Sequence, residues 1–343
     1  MSTIAPGQNV AVVGTGIAGM LAAYLLHDEH RVTVFESEDR IGGHTHTVPV
    51  DSDEGRTWVD TGFIVFNDWT YPNFIRLLDR LGVDSQPSDM SFSVSCERTG
   101  LEYNGGSFRQ LLARKRNALS PRFWMMLRDI LRFYRESPGL LESDEGELPL
   151  GEYLRREGYS SAFVDWHIVP MGAAVWSTSV DRMLTFPARF FVRFFHNHGF
   201  LSVQDRPTWR AIRGGSRSYA AALTAPYRDR IRLSSPIERI ARHRDRVEVQ
   251  AAGRPPESFD HVIIAAHSDQ ALAMLADPSE AEREVLGAIH YQSNRTLLHT
   301  DDTVMPRRRP AWASWNYHIP REPGGGVSLT YWMNSLQTLD GPT

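Results

Sequence analysis

The sequence has a single cysteine, Cys96, in 343 residues. An internal disulfide is therefore excluded, and a reducing compartment, the cytoplasm, is the expected location. Lysine is as scarce: Lys115 is the only one among 37 basic residues, the others being arginine. A chemistry that needs a lysine at the reacting centre has one residue to draw on. The opening MSTIAPGQNV has neither a basic segment nor an apolar core, so no signal peptide is expected. Residues 10–26 are uncharged, yet three glycines and a following β-like run set them apart from a membrane span. A formal charge of −4 gives no global attraction to nucleic acid or to an anionic bilayer. With 41% hydrophobic and 23% charged residues, the chain reads as globular, with room for two domains.

What is present is concentrated first in residues 9–36, NVAVVGTGIAGMLAAYLLHDEHRVTVFE. An apolar strand (10–13), a glycine turn, an Ala/Leu-rich helix (17–26) and a second strand (31–35) follow in order. Gly14, Gly16 and Gly19 have the spacing G-x-G-x-x-G, and Glu36 stands twenty residues after Gly16. The first glycine allows a tight turn, the second lets a pyrophosphate approach the backbone, and the third lets helix and strand pack closely. The N–H groups of Ile17 and Ala18, at the positive end of the helix dipole, attract phosphate. Glu36 can accept hydrogen bonds from ribose hydroxyls. This is a dinucleotide-binding unit. A second glycine pair, Gly42-Gly43, lies between Arg40 and His44 and again suits backbone meeting a cofactor. A simple nicotinamide site does not need it, which points to FAD.

Further along, residues 56–67 alternate like a strand, with Asp60 and Gly62 near the middle. Residues 71–81 have helical spacing, with Phe74, Leu77, Leu78 and Leu81 on one face and Gly82 as terminator. Residues 91–95 read as a strand. Residues 109–135 carry eight basic residues against one acid, Asp129, interleaved with Phe123, Trp124, Met125, Met126 and other apolar residues. Such a stretch can lie on an anionic membrane, or pack into a domain core with its arginines in solvent; the solvated face is the favoured reading. No nucleic-acid-binding module accompanies it. Residues 142–147 form an acidic loop. Residues 163–200 are rich in Phe and Trp, a composition shared by a tunnel for an apolar substrate and by a plain helical core, the default. The pairs His44/His46 and His196/His198 have no Cys or carboxylate at ligand spacing, so no metal is expected. Strands are expected around 231–233, 237–242, 247–249 and 261–265, and then in TLLHTD (296–301), AWASWNYH (311–318) and VSLTYWMN (327–334).

The succession G-x-G-x-x-G, Glu36 and D-R-I-G-G-H resembles the flavin-containing amine oxidase, phytoene desaturase and protoporphyrinogen oxidase superfamily. Arginine is usual there where His44 stands. From GGHTHTV through DTGFIVFN, WRAIRGGSRSY, AAHSDQAL and TYWMN, the whole chain is similar to bacterial NAD/FAD-binding oxidoreductases associated with modified fatty-acid metabolism. The resemblance implies a Rossmann-type α/β FAD-binding domain (1–65 and 210–280) and a discontinuous α+β substrate domain (66–209 and 281–343). It implies that Glu36 holds the adenosine ribose, that Arg40 to His44 line the pyrophosphate and ribityl chain, and that Gly62 passes the flavin ring. The Gly62 segment read alone is a strand with a glycine bulge. The Ile237 backbone would meet the adenine. The implied activity is hydride transfer from a long apolar substrate, an acyl chain reached at a membrane surface, to FAD. A polyprenyl or carotenoid-type desaturase, and a non-catalytic dinucleotide-binding membrane partner, are the alternatives. Amine oxidases of the family place a lysine near the flavin, and Lys115 lies in the basic stretch instead. His267, Asn316 and Tyr317 are candidate catalytic groups; Trp315, Tyr331 and Trp332 are candidate substrate contacts. Family members close with a glycine-rich segment and helix at the flavin's pyrimidine end. None follows residues 331–336 here, so this chain is expected to be a fragment, or incomplete at the flavin, and to bind FAD weakly.

Overall fold

The structure, a computed structural model, describes residues 5–52, 55–142, 148–322 and 328–339. The strand β1 (Asn9–Val13) is apolar at every position from Val10 onward because both of its faces are covered. It sits inside a parallel four-stranded sheet in the order Ile231–Arg232, β2 (Arg31–Phe35), β1, His261–Ile264. One face packs through Val10, Val12, Val32 and Val34 against Ala23 of the helix α1 (Ile17–Leu26) and against Tyr227. On the other face, Ala11 and Phe35 meet Val249 and Phe259 from a three-stranded antiparallel sheet, Ile237–Arg242, Val247–Ala251 and Glu257–Phe259. The chain thus returns, about 200 residues later, to finish the layers that its first strands begin.

A second four-stranded sheet has the order Ser328–Tyr331, Trp315–Ile319, Phe92–Cys96, Leu101–Asn104. Its central pair is parallel and joins segments far apart in sequence, Val94 facing Tyr317 in register. Val94, Cys96, Tyr103 and Tyr317 form its apolar side, covered by Phe123 and Met126 of a long helix. The helices along that stretch are α2 (Pro72–Leu81), α3 (Phe108–Leu111) and α4 (Pro121–Glu136). Gly82, at φ +65°, ends α2 as its spacing predicts. The aromatic residues of 163–200 take the core alternative: Phe163, Phe191 and Phe195 are fully buried together with Phe133 and Tyr153. Trp176 packs on Phe186, Phe190, Phe191 and Phe194.

Four expected strands differ. Residues 56–67 are not one strand but two, Gly55–Asp60 and Val65–Asn67, separated at Gly62. A side chain at Gly62 would collide with the His44 carbonyl, so the backbones touch there and the ladder cannot continue. Residues 296–301 form no strand. Leu297 and Leu298 are exposed, and no described segment lies alongside to accept their hydrogen bonds. The run 311–318 is strand only from Trp315, because Arg309–Ala311 makes a 3₁₀ turn around Pro310. The run 327–334 is strand at Ser328–Tyr331 and then turns into a short helix, Met333–Leu336. Most of the acidic run 142–147, and residues 340–343, lie outside the described residues.

Candidate FAD site

The glycine turn after β1 shows three separate constraints. Gly14 has φ +99°, its N–H donates to the Phe35 carbonyl at 2.7 Å, and a Cβ there would lie 2.5 Å from the Ala265 oxygen. At Gly19 a Cβ would run into the Gly14 carbonyl, so α1 packs directly on the turn. Gly16 differs: no atom lies within 4 Å of where its Cβ would be. Ile17 and Ala18 are exposed, so the unpaired N–H groups that start α1 face open space.

Glu36 follows directly on β2 and is buried. Its Oε2 accepts from the Thr15 N–H at 2.8 Å and from the Thr15 hydroxyl. Its Oε1 accepts from the Glu38 N–H at 3.0 Å and from the Ser37 hydroxyl at 3.1 Å. Burial works to raise the pKa, but these donors outweigh it and hold the carboxyl below its ordinary value. Ile237 stands close to this acid in the chain path: the N–H of Ser235, two residues earlier, donates to the Glu36 carbonyl at 2.7 Å.

The loop bearing Arg40 to His44 closes on the same turn. Arg40 binds the Gly43 carbonyl at 2.9 Å and Glu38 at 3.2 Å. Gly42 (φ +127°) donates its N–H to the Thr15 hydroxyl at 3.1 Å. At Gly43 a Cβ would come within 3.2 Å of the Gly16 Cα, so the two glycine segments face each other across a narrow gap. The exposed ring of His44 stacks on His267 at 5.7 Å, and His267 stacks on Tyr291 at 4.3 Å. The Phe63 N–H donates to the His44 carbonyl at 2.8 Å, which fixes Gly62 against this loop. Beside it opens a cavity of about 490 Å³, lined by Arg40, His46, Thr47, Arg217 and Arg228 among others.

Residues from five segments therefore converge, and the opening over Gly16 and the start of α1 has the backbone donors and the carboxylate that a dinucleotide requires. The residues present fit FAD. Two positions carry more than their sequence suggested. Thr15 joins the glycine turn, Glu36 and the Gly42 loop through one hydroxyl. Asp60, fully buried, accepts from the Thr47 hydroxyl at 2.5 Å, the Ser216 hydroxyl at 2.7 Å, the Ser216 N–H at 2.9 Å and the Gln337 amide at 3.0 Å. Gln337 also accepts from the Asp60 N–H at 2.8 Å. Burial prevails over these donors and raises the Asp60 pKa. The D-x-G spacing marked Asp60, but nothing in the sequence pairs it with Gln337.

The remaining candidates lie apart from the glycine cradle, His267 excepted. Asn316 is buried with its amide engaged on both sides: Oδ1 accepts from the Ser93 hydroxyl at 2.8 Å and the Ala313 N–H at 2.9 Å, and Nδ2 donates to the Ala313 carbonyl at 2.5 Å and the Thr330 carbonyl at 3.2 Å. Tyr317 lies in the apolar side of the sheet, and burial raises its pKa. Trp315 and Tyr331 face each other edge to face at 4.9 Å, and Trp332 meets Trp312 at 5.5 Å. The indole N–H groups of Trp315 and Trp332 are buried with no acceptor among the described residues. Lys115 is exposed in the turn Lys115–Leu119.

A family model described as flavin containing amine oxidoreductase matches residues 17–309. An L-amino-acid oxidase from Siganus canaliculatus is 25% identical over 334 residues, covering 85% of this chain and 56% of that protein. Among solved structures, putrescine oxidase bound to putrescine superimposes with a TM-score of 0.58 at 19% identity, covering 82% of this chain and 63% of that one. A fatty acid isomerase from P. acnes that produces CLA gives 0.56 at 18% identity, covering 83% and 64%. The chain spans less than two thirds of each of these three proteins.

Proposed function

This chain belongs to the flavin containing amine oxidoreductase family and its cofactor is FAD, and from that premise we propose an oxidoreductase that takes a hydride from a long apolar substrate, a fatty-acyl chain. The observation that carries the redox half is the convergence of Gly14, Gly16, Glu36, Gly42, Gly43 and Gly62 on one opening. The N–H groups at the start of α1 orient the diphosphate, Glu36 receives the adenosine ribose, and Gly62 with the His44 backbone allows a planar ring to approach closely. Bound FAD supplies the hydride acceptor, so the reaction asks the protein for position more than for an acid or base. The engagement of Asn316 within its sheet accords with this.

The apolar half rests on the aromatic group Trp312, Trp315, Tyr331 and Trp332 at one end of the second sheet, where indole and phenol rings suit an alkyl chain. A polyprenyl chain would meet the same surface. Amine or amino-acid oxidation is the second reading, favoured by the similarity to an L-amino-acid oxidase. Against it, the one lysine sits in an exposed turn. We place the FAD-binding part in residues 1–65 and 210–280 and the substrate part in 66–209 and 281–343. The strand Trp209–Ile212 pairs with Val65–Asn67 and Ser85–Pro87, at the seam between them. Among the described residues no helix is long and apolar enough to cross a membrane; a cytoplasmic enzyme working at a membrane surface is the proposed setting.

Anaerobic mixing of the FAD-loaded protein with oleate, a polyprenol, a primary amine or an L-amino acid tests this. Loss of visible flavin absorbance with oleate is the expected result. Bleaching by the amine or amino acid instead overturns the substrate class, and bleaching by none of them favours the non-catalytic alternative.

A further inference from the structure

The basic stretch from α3 to the start of α4 forms a surface that the fold completes with a residue from far along the chain. Along α3, the turn Lys115–Leu119 and the start of α4, four large apolar side chains stand in solvent: Phe108 is 65% exposed, Leu119 83%, Trp124 43% and Met125 40%. Between them Arg109, Lys115 and Arg116 are exposed and make no ion pair among the described residues. The 3₁₀ turn Arg309–Ala311 packs against α3 and brings exposed Arg307 to the same region. That loop is held in place: Arg308 binds Glu102 at 3.1 Å, and the Arg309 guanidinium lies 3.7 Å over Trp312.

An ordinary solvated helix face keeps its aliphatic side chains inward and its charges outward. Here Phe123 and Met126 already fill the inward positions of α4, so the exposed group is surplus to the core. Cations interleaved with an indole and with flexible apolar chains match the headgroup boundary of an anionic bilayer, which neutralises the charges and receives the apolar tips together. A nucleic acid would use the charges and the indole, but leave Phe108 and Leu119 unburied. The local charge also opposes the overall −4 of the chain, so attraction is confined to this face.

We propose that the surface formed by α3, the Lys115–Leu119 turn, the start of α4 and Arg307 docks on anionic phospholipid. This rests on the apolar-substrate reading only for its purpose, which is to bring the substrate part of the chain to a lipid source. α4 covers the very sheet that carries Trp315 and Tyr331, so a docked α4 places that sheet one helix layer from the bilayer.

Sedimentation of the full chain with vesicles of phosphatidylcholine alone, or of phosphatidylcholine with phosphatidylglycerol, tests the proposal without any substrate. Binding only to the phosphatidylglycerol vesicles is expected. Combined Arg109→Ser, Lys115→Ser and Arg116→Ser should weaken it roughly a hundredfold, since each cation near the surface contributes about a fivefold factor. Combined Phe108→Ser and Leu119→Ser should weaken it while leaving the charge intact; thermal unfolding checks that both variants stay folded. Equal binding to both vesicles, no binding, or variants that bind like the parent would overturn the proposal. So would tighter binding to duplex DNA, or a dimer that these substitutions dissolve. Flavin bleaching by detergent-dispersed oleate in the non-docking variants keeps the two readings apart: bleaching without docking leaves the substrate reading standing, and docking without bleaching leaves this one.

Discussion

Thr15 is bonded twice to one oxygen of Glu36: its N–H donates at 2.8 Å and its hydroxyl donates to the same Oε2. The hydroxyl also accepts from the Gly42 N–H, so one side chain couples the glycine turn, the acid and the second glycine loop. Thr15→Val keeps the volume and removes that link. It leaves the Gly42 N–H without its acceptor and the buried carboxylate short of one donor. A stability loss of about 1–3 kcal/mol is expected in denaturant titration, with FAD affinity falling alongside. A variant with unaltered stability and affinity would show that the hydroxyl is idle.

The four acceptor positions of the Glu36 carboxylate are all taken by the chain itself. A ribose hydroxyl must therefore displace one donor. Thr15 is fully buried, whereas Ser37 is exposed and exchanges easily with water. Ser37→Ala should leave FAD affinity unchanged or slightly raised, the opposite of Thr15→Val. A comparable loss in both variants, read by fluorescence quenching of added FAD, would contradict this order of displacement.

Glu36 also sets a pH dependence. Its folded pKa lies below its ordinary value, so its stabilising contribution is complete above that ordinary value and is lost as pH falls through the folded pKa. Glu36→Gln removes that acid-side loss. Chemical denaturation across the acid range should give a shallower decline for the variant than for the parent. Parallel declines would mean that the carboxylate gains nothing from its four donors.

Asp60 has the opposite sign: burial raises its pKa, so its ionised form is disfavoured and the stability it contributes is lost as pH rises through the folded pKa. Its geometry nonetheless requires an acceptor on both oxygens, because the Ser216 N–H donates to Oδ1 and the Gln337 amide donates to Oδ2. Asp60→Asn points an amide N–H at one of these donors and should cost roughly 2–3 kcal/mol. Gln337→Ala removes a donor to the carboxylate and leaves the buried Asp60 N–H without its acceptor, and should cost roughly 1.5–3 kcal/mol. A double-mutant cycle should show coupling between the two; purely additive losses would place the Gln337 bonds outside the network.

Legibility followed sequence distance and chemistry. Residues 9–36 could be read through because strand, turn, helix and acid are contiguous and two of the three glycines are demanded by a collision: Gly14 with Ala265, Gly19 with Gly14. Thr15 occupies a position that the glycine spacing leaves free, so no pattern marks its hydroxyl. The Asp60–Gln337 pair joins residues 277 apart, and no periodicity reaches that far. The aromatic composition of 163–200 serves a cage or a core equally. Only packing separates them, and Phe191 stacked on Phe195 at 4.1 Å inside a sealed cluster is core. Leu297 and Leu298 have strand-like chemistry, but a strand exists only where another segment pairs with it.

The central claim is that FAD is held at the opening where Gly16, Glu36 and Gly43 meet, and titration of apoprotein with FAD, parent beside Glu36→Gln, tests it most directly. The parent should quench FAD fluorescence saturably, with one FAD bound per chain. Glu36→Gln should require about tenfold more FAD or greater, as expected for losing a charge-assisted hydrogen bond. Equal affinity in the two proteins, or saturation by NAD in place of FAD, would contradict the account.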